Sequence, residues 1–191
     1  MQISEKLDVI IGHHPCHESL KQPLLDDSVS AGYHIGSPYK GRDDTSRFSK
    51  HTNSKSITTI GLWVNTLIRN KYLYLDPQGW RVKMGSCWFT TYGKGDYTVP
   101  HDHEPGYFSW VYFVDCPKGS SPLVFTKSGK RINAEEGKVV IFRSLVQHHC
   151  PKNNSDRRVV LVGNTVIFTE EELSAIQKSM DKSPTNGTVY H

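Results

Sequence analysis

The sequence has no long apolar run, no block of like charge and no closely spaced pair of cysteines. No apolar stretch approaches the roughly 18 residues that cross a bilayer, so we expect no membrane span. The 23 basic and 19 acidic residues are scattered along the chain, which provides no evidence of a nucleic-acid-binding arm. The four cysteines are widely spaced and the first residues, MQISEKLDVI, lack a signal-peptide pattern. We therefore expect reduced thiols and a cytoplasmic location.

The 191 residues, of which 36% are hydrophobic, suit one soluble globular domain. We predict four parts: an irregular and helical N-terminal part at 1–79, a β core at 80–168, a C-terminal helix at 169–182 and a tail at 183–191. In the first part, apolar spacing predicts helices at 18–25 and within 57–75, with a long polar loop at 36–56 between them. The last helix is predicted to begin at Thr169, a residue type favoured at helix N-caps.

The β core is predicted from short runs rich in β-branched and aromatic residues, separated by turn residues. These runs span residues 80–92, 107–114, 122–126, 138–143 and 157–168. Several short strands with no helix between them are typical of an antiparallel sandwich or barrel. The predicted fold class is therefore mainly β, with flanking helices at both ends.

Two histidines lie two residues apart at the start of this core. In an extended chain residues i and i+2 point to the same face, so His101 and His103 can converge on one ion while Asp102 and Glu104 point away. A third histidine, His148, follows the predicted strand at 138–143. Neutral imidazole binds iron, zinc, copper and nickel, so this pattern predicts a metal site without choosing the metal.

Two other groups of histidines are better explained without a metal. His13, His14, Cys16 and His17 have suitable side chains, but they surround a proline outside any predicted strand framework, which favours surface or packing roles. His149 adjoins His148, and strand alternation turns one of two neighbours outward.

The spacing of Gly95, His101, His103, Gly137 and His148 resembles the two-part pattern of the cupin superfamily. A closer resemblance is to the 2-oxoglutarate (2OG) and iron(II)-dependent oxygenases related to prolyl 4-hydroxylases. That resemblance covers roughly residues 80–165 and lies in Tyr92-x-x-Gly95, the strand at 109–114, the strand at 137–142, His148-x-x-Pro151 and the segment 158–164. It implies a double-stranded β-helix, the cupin-like or jelly-roll barrel.

The resemblance also implies cofactors and the residues that hold them. Iron(II) would be bound by His101, His103 and His148, with 2OG and O2 as cosubstrates. Arg158, ten residues after His148, would hold the distal carboxylate of 2OG, because a guanidinium donates two parallel hydrogen bonds to a carboxylate. Tyr92 and Asn164 are further candidates for contacts with the cosubstrate, since Asn164 shares a strand face with Arg158.

The predicted metal site departs from the family pattern at one position. The family has a carboxylate two residues after the first histidine, where this sequence has His103. Either the site has three histidines, or Asp102 or Glu104 provides the anion through a bent strand; alternation favours three histidines.

These observations predict an oxygenase, specifically a hydroxylase, that acts on a small-molecule or peptidyl substrate of unidentified structure. One alternative is a cupin-type dioxygenase or isomerase that uses three histidines without 2OG. Another is a noncatalytic ligand-binding barrel, suggested by the aromatic residues Tyr107, Phe108, Trp110 and Tyr112. Neither a nucleic-acid partner nor an oligomeric state is indicated by the sequence.

Overall fold

The computed structural model describes residues 7–30, 42–44, 54–73 and 81–169, together with 171, 172 and 174. The N-terminal elements are strand β1 (Val9–His13), helix α1 (His17–Ser30), strand β2 (Arg42–Asp44) and helix α2 (Lys55–Ile68), which continues into a π-helical turn, Arg69–Leu73. The following strands are β3 (Arg81–Tyr92), β4 (Thr98–His101), β5 (Phe108–Asp115), β6 (Leu123–Phe125), β7 (Arg131–Ile132), β8 (Lys138–Arg143), β9 (His148–Cys150) and β10 (Arg158–Phe168).

The strands form two antiparallel sheets. The larger sheet has the order β1-β8-β5-β10-β3-β2, and the smaller has the order β4-β9-β6-β7. From β3 onward the chain passes repeatedly between the sheets, and β10 pairs with both β3 and β5 at the centre of the larger one. This arrangement confirms the predicted double-stranded β-helix.

Two apolar layers hold these elements together. Every residue of β5 is buried, since one face of the strand contacts the helices and the other contacts the smaller sheet. On the helix side, Trp110 and Tyr112 pack with Ile60 of α2. Between the sheets, Val111 and Phe113 pack with apolar residues of β6, β8 and β10. Burial on both faces explains why β5 is a continuous apolar and aromatic run.

Gly163 in β10 allows the Trp110 indole to approach the backbone of the strand closely. A Cβ atom at this position would approach Trp110 Cζ2 to 2.3 Å, far inside van der Waals contact. Any side chain at position 163 would therefore displace the indole and disturb the helix-side core.

The described residues of the N-terminal part form more regular structure than their sequence pattern indicates. Residues Val9–His13 form an edge strand on β8. Helix α1 spans His17–Ser30 and so extends beyond both ends of the predicted helix at 18–25. Helix α2 begins after the N-cap Ser54 and its α-helical part ends at Ile68, earlier than predicted. Of the predicted loop at 36–56, the described residues are the short strand β2 and the start of α2.

A capping contact lies at the predicted start of the C-terminal helix. The Glu172 amide donates to Thr169 Oγ1 at 3.2 Å, and the Thr169 amide donates to Glu172 Oε2 at 2.8 Å, which is a reciprocal capping box. The rest of that helix and the tail lie outside the described residues, as does residue 80. Within the described part of the chain, no helix is long and apolar enough to span a membrane.

Candidate metal centre

Two of the three predicted ligands are brought together by strand pairing. His101 ends β4 and faces His148, the first residue of β9, as its direct antiparallel partner. Their ring centroids lie 4.5 Å apart. The pair of strands therefore places two imidazoles, 47 positions apart in the sequence, side by side at one end of the smaller sheet.

Backbone carbonyls orient both of these rings. His101 Nδ1 lies 2.8 Å from the Val99 carbonyl oxygen, and His148 Nδ1 lies 3.0 Å from the Val146 carbonyl oxygen. A carbonyl only accepts, so each Nδ1 must carry the proton and donate it. The proton-free Nε2 atoms are then left as lone-pair donors, which is the usual arrangement of metal-binding histidines.

The third imidazole, His103, reaches the same point from beyond the end of β4. Its ring centroid is 4.9 Å from that of His101 and 5.1 Å from that of His148. One ligand atom from each histidine lies within 4.8 Å of the other two, and this is the cluster of metal-binding side chains found among the described residues. Asp102 and Glu104 are exposed and lie outside this set.

Burial keeps this cluster in the form that binds metals. Burial lowers the pKa of His103 to about 4, and the adjacent His101 adds to the effect while Asp102 opposes it. Burial, reinforced by His101, lowers the pKa of His148 to about 3. Both imidazoles are therefore neutral at pH 7, with no proton to displace when a cation binds.

The histidines line a cavity of about 540 Å³ between the two sheets, and Arg158 lies in its wall. This residue starts β10 and is only 2% exposed. Its guanidinium packs over the rings of Tyr92 and Phe113, 4.7 and 5.3 Å from their centroids. Nε and Nη1 are buried without a hydrogen-bond partner among the described residues. A buried cation that lines a cavity and has unused hydrogen-bond donors is suited to an anionic ligand.

Of the other two predicted cosubstrate contacts, Tyr92 lines the cavity and Asn164 is not one of its lining residues. Tyr92 is the cross-strand partner of Arg158, lines the cavity, and forms a 2.6 Å hydrogen bond between its hydroxyl and Thr98 Oγ1. Asn164 lies six residues along β10 from Arg158, and its amide hydrogen-bonds Ser86 and Ser109. Neither placement tests a contact with 2OG, which stays a prediction for both residues.

The other histidines within the described ranges, His13, His14, His17 and His149, have partners of other kinds. His17 is buried with Nδ1 2.8 Å from the Tyr112 hydroxyl, and His13 Nε2 lies 2.9 Å from Glu135 Oε1. His14 Nδ1 accepts from the Cys16 amide. His149 is half-buried, with Nδ1 3.1 Å from Thr126 Oγ1.

The aromatic residues that suggested a ligand-binding surface do not form one. Phe108, Trp110 and Tyr112 are at most 1% exposed and belong to the helix-side core, and only Tyr107 reaches the surface. That expectation was wrong because alternate residues of β5 face the helices. The sequence alone does not show that the helices pack against this face of the strand.

Three cavity residues of β3 were not predicted as site residues from the sequence. Trp88 packs edge-on against His103, with ring centroids 5.5 Å apart, and Ser86 and Thr90 line the same wall. All three share a strand face with Tyr92, so period-two alternation along β3 carries the signal that identifies them.

No family model matches the chain, and no curated protein sequence matches it. Solved structures do match. A viral collagen prolyl hydroxylase from Paramecium Bursaria Chlorella virus-1, in a 2OG complex, aligns with a TM-score of 0.67 at 11% identity, covering 86% of this chain and 98% of the viral one. A prolyl-4-hydroxylase from Pseudomonas putida aligns with a TM-score of 0.62 at 15% identity, covering 84% and 92%.

A third match is a prolyl hydroxylase from Trichoplax adhaerens, in complex with a peptide fragment of the hypoxia inducible factor oxygen degradation domain. It aligns with a TM-score of 0.63 at 14% identity, covering 89% of this chain and 87% of that one. At such identities the likeness establishes a common fold, the double-stranded β-helix, over most of each chain.

Proposed function

We propose that this protein is a non-haem iron(II) and 2OG-dependent oxygenase that hydroxylates its substrate. The observation that carries the proposal is the presence of two complementary features in one cavity. Three imidazoles converge at one side, and a buried arginine with unused hydrogen-bond donors lies in the wall. The first suits a divalent transition metal, and the second suits a carboxylate.

Three histidines leave space for exogenous ligands on the metal. Iron(II) would be held by His101, His103 and His148, and a set of three protein ligands would leave room on the metal for exogenous ligands. When bound, iron(II) and 2OG would activate dioxygen, with one oxygen atom passing to succinate and the other to the substrate. The protein's part is to position these groups and exclude water.

Arg158 is proposed to bind the distal carboxylate of 2OG. Stacking on Tyr92 and Phe113 restricts the guanidinium to one orientation before the ligand arrives. A bidentate ion pair with the carboxylate would satisfy one of the two donors that are otherwise buried without a partner. Tyr92 and Asn164 are retained as candidate contacts, and Asp102 and Glu104 as candidate ligands only if His103 does not bind.

The substrate is proposed to be a small molecule or a peptidyl group. The Trichoplax enzyme of the same fold has a peptide in its complex, which supports the second of these classes without excluding the first. A cytoplasmic location is also part of the proposal, on the evidence of the sequence alone.

A cupin-type dioxygenase or isomerase that does not use 2OG is the second candidate. The observation in its favour is the histidine at position 103, because three neutral ligands differ from the carboxylate-containing set of the 2OG enzymes. This candidate assigns no role to the unpartnered guanidinium of Arg158.

The proposal is tested by 2OG turnover. Purified protein supplied with iron(II), ascorbate and oxygen should slowly convert 2OG to succinate and carbon dioxide, even without the true substrate. Omission of iron, or the substitution His148→Ala, should abolish this conversion. A wild-type protein that holds iron but leaves 2OG unchanged and unbound would favour the second candidate.

A further inference from the structure

A row of polar side chains crosses the larger sheet at one end of the cavity. Asn164 of β10 is the direct cross-strand partner of Ser86 on β3 and of Ser109 on β5. Ser109 in turn is paired with Phe142 of β8, two residues before Ser144. Strand register therefore brings four polar side chains into one line, among residues that are otherwise mostly apolar.

Hydrogen bonds connect the row from end to end. Ser109 Oγ donates to Asn164 Oδ1 at 2.7 Å, and Asn164 Nδ2 donates to Ser86 Oγ at 3.1 Å. Ser109 Oγ and Ser144 Oγ are 2.9 Å apart. Since Ser109 has a single hydroxyl hydrogen and gives it to Asn164, Ser144 must be the donor to Ser109. All the hydrogens thus point from Ser144 toward Ser86, which lines the cavity.

The Ser144 end of the row holds the backbone of a predicted metal ligand. The His103 amide donates to the Ser144 carbonyl at 2.9 Å, and the Ser144 amide donates to the Tyr107 carbonyl at 3.2 Å. The turn is tightly packed: a Cβ atom on Gly106 would lie 2.8 Å from Ser144 Oγ and 2.9 Å from the His103 carbonyl oxygen. A displacement of Ser144 would therefore be transmitted to His103.

His103 depends on this support more than the other two histidines do. His101 and His148 are paired across adjacent strands and each ring is held by a carbonyl through Nδ1. His103 lies beyond the end of β4, and no hydrogen bond from its ring to another described residue is present. Its position is set by its backbone and by the edge of Trp88.

We propose that Ser109, Asn164 and Ser144 are positioning residues for His103. Ser109 and Ser144 are fully buried, where an unpaired hydroxyl is costly, so the row is stable only when every member keeps its partner. The need to keep every hydrogen bond holds Ser144 in place, and the Ser144 carbonyl in turn holds the backbone of His103. The inference rests on the proposed metal site, and it gives Asn164 a role distinct from contact with 2OG.

Two variants break the row at different places, and a third serves as a matched control. Ser109→Ala removes the central hydroxyl, and Asn164→Leu replaces the amide with an apolar group of similar size. Thr165→Val is the control, because Thr165 is also fully buried on β10 and its Oγ1 donates to the Phe108 carbonyl at 3.2 Å, outside the row. A merely structural role predicts that all three behave alike.

The first readout uses metal-free protein. Hydrogen exchange of the His103 amide should accelerate about tenfold in Ser109→Ala and Asn164→Leu, because loss of a buried partner loosens the Ser144 contact. The carbon-bound proton resonances of the His103 ring should shift, while those of His101 and His148 stay in place. Thr165→Val should leave both observations at wild-type values.

The second readout uses cobalt(II) in place of iron. Cobalt affinity should fall about tenfold in the two row variants, as for other residues that orient metal ligands, and the visible ligand-field spectrum should change. Wild-type exchange of the His103 amide in both row variants, or equal changes in Thr165→Val, would overturn the positioning role. Failure of the proposed function is distinguishable, because it appears as absence of cobalt and iron binding by the wild-type protein itself.

Discussion

Arg158→Gln should abolish most of the affinity for 2OG while leaving the metal bound. Arg158 is 2% exposed, so an ion pair formed there is not screened by water, and its stacked guanidinium is oriented before the ligand arrives. Removal of one partner of a buried, hydrogen-bonded charge pair costs about 2–5 kcal/mol. At 1.4 kcal/mol per factor of ten, the dissociation constant should rise by at least about 30-fold.

The assay is anaerobic calorimetric titration of 2OG into iron(II)-loaded protein. Arg157→Gln is the control, since Arg157 is the adjacent residue, is exposed, and already pairs with Asp115 at 2.7 Å. Its replacement should change 2OG affinity by less than about twofold, in line with the small energies of surface ion pairs. Equal losses in the two variants, or no loss in Arg158→Gln, would refute the role assigned to Arg158.

The same substitution separates a ligand-binding arginine from a structural one. A structural buried ion pair that loses one member destabilises a protein by about 3–5 kcal/mol. Arg158 has no ion pair among the described residues and two unpartnered nitrogens, so Gln relieves unsatisfied donors while losing its ring contacts. We expect the free energy of unfolding of the metal-free protein to change by less than about 1 kcal/mol, measured by urea denaturation.

Three further predictions concern histidines. His101→Ala and His148→Ala should each abolish the binding of about one iron per chain, measured by metal analysis after gel filtration, and full occupancy in both would disprove the site. His103→Asp should still bind iron, because it restores the carboxylate that the family pattern has at this position, whereas His103→Ala should bind iron more weakly. Equal iron affinity of His103→Ala and wild type would show that His103 is not a ligand. His17 should make the stability of the fold depend on pH. Burial, opposed by Glu136, holds the pKa of His17 below its usual value, so the folded protein binds fewer protons than the unfolded chain. Stability is therefore lost as pH falls below about 6.5. His17→Asn should lose less stability than wild type between about pH 7 and 5 in urea titrations, and identical pH profiles would contradict this.

The longer strands at the centre of the larger sheet were predictable from sequence because they are buried. β5, β8 and β10 consist of β-branched and aromatic runs, and the predicted limits agree with the observed ones within a residue or so. β4, β7 and β9 are two to four residues long and contain proline, arginine or histidine. Such short strands exist because of their pairing across the barrel, which local propensity does not show.

The histidine cluster was predictable from spacing, but its orientation was not. Alternation correctly indicated that His101 and His103 point to one side. The carbonyls of Val99 and Val146, which orient the rings of His101 and His148, belong to the backbone, and any residue type could provide them. Sequence patterns therefore identify the three imidazoles that converge but not the atoms that select their tautomers.

Asn164 shows that two residues on the same strand face need not contact the same ligand. It shares a face of β10 with Arg158, as the alternation predicts, but six residues of strand separate the two side chains. The amide instead meets Ser86 and Ser109, whose proximity depends on the pairing of three strands that are distant in sequence.

The most direct test is a crystal structure of the protein with iron(II) and 2OG, grown without oxygen. We predict one iron ion bound by Nε2 of His101 and His148 and by an imidazole nitrogen of His103, with the distal carboxylate of 2OG on the guanidinium of Arg158. Iron bound elsewhere, or 2OG lying away from both the metal and Arg158, would contradict the proposed oxygenase.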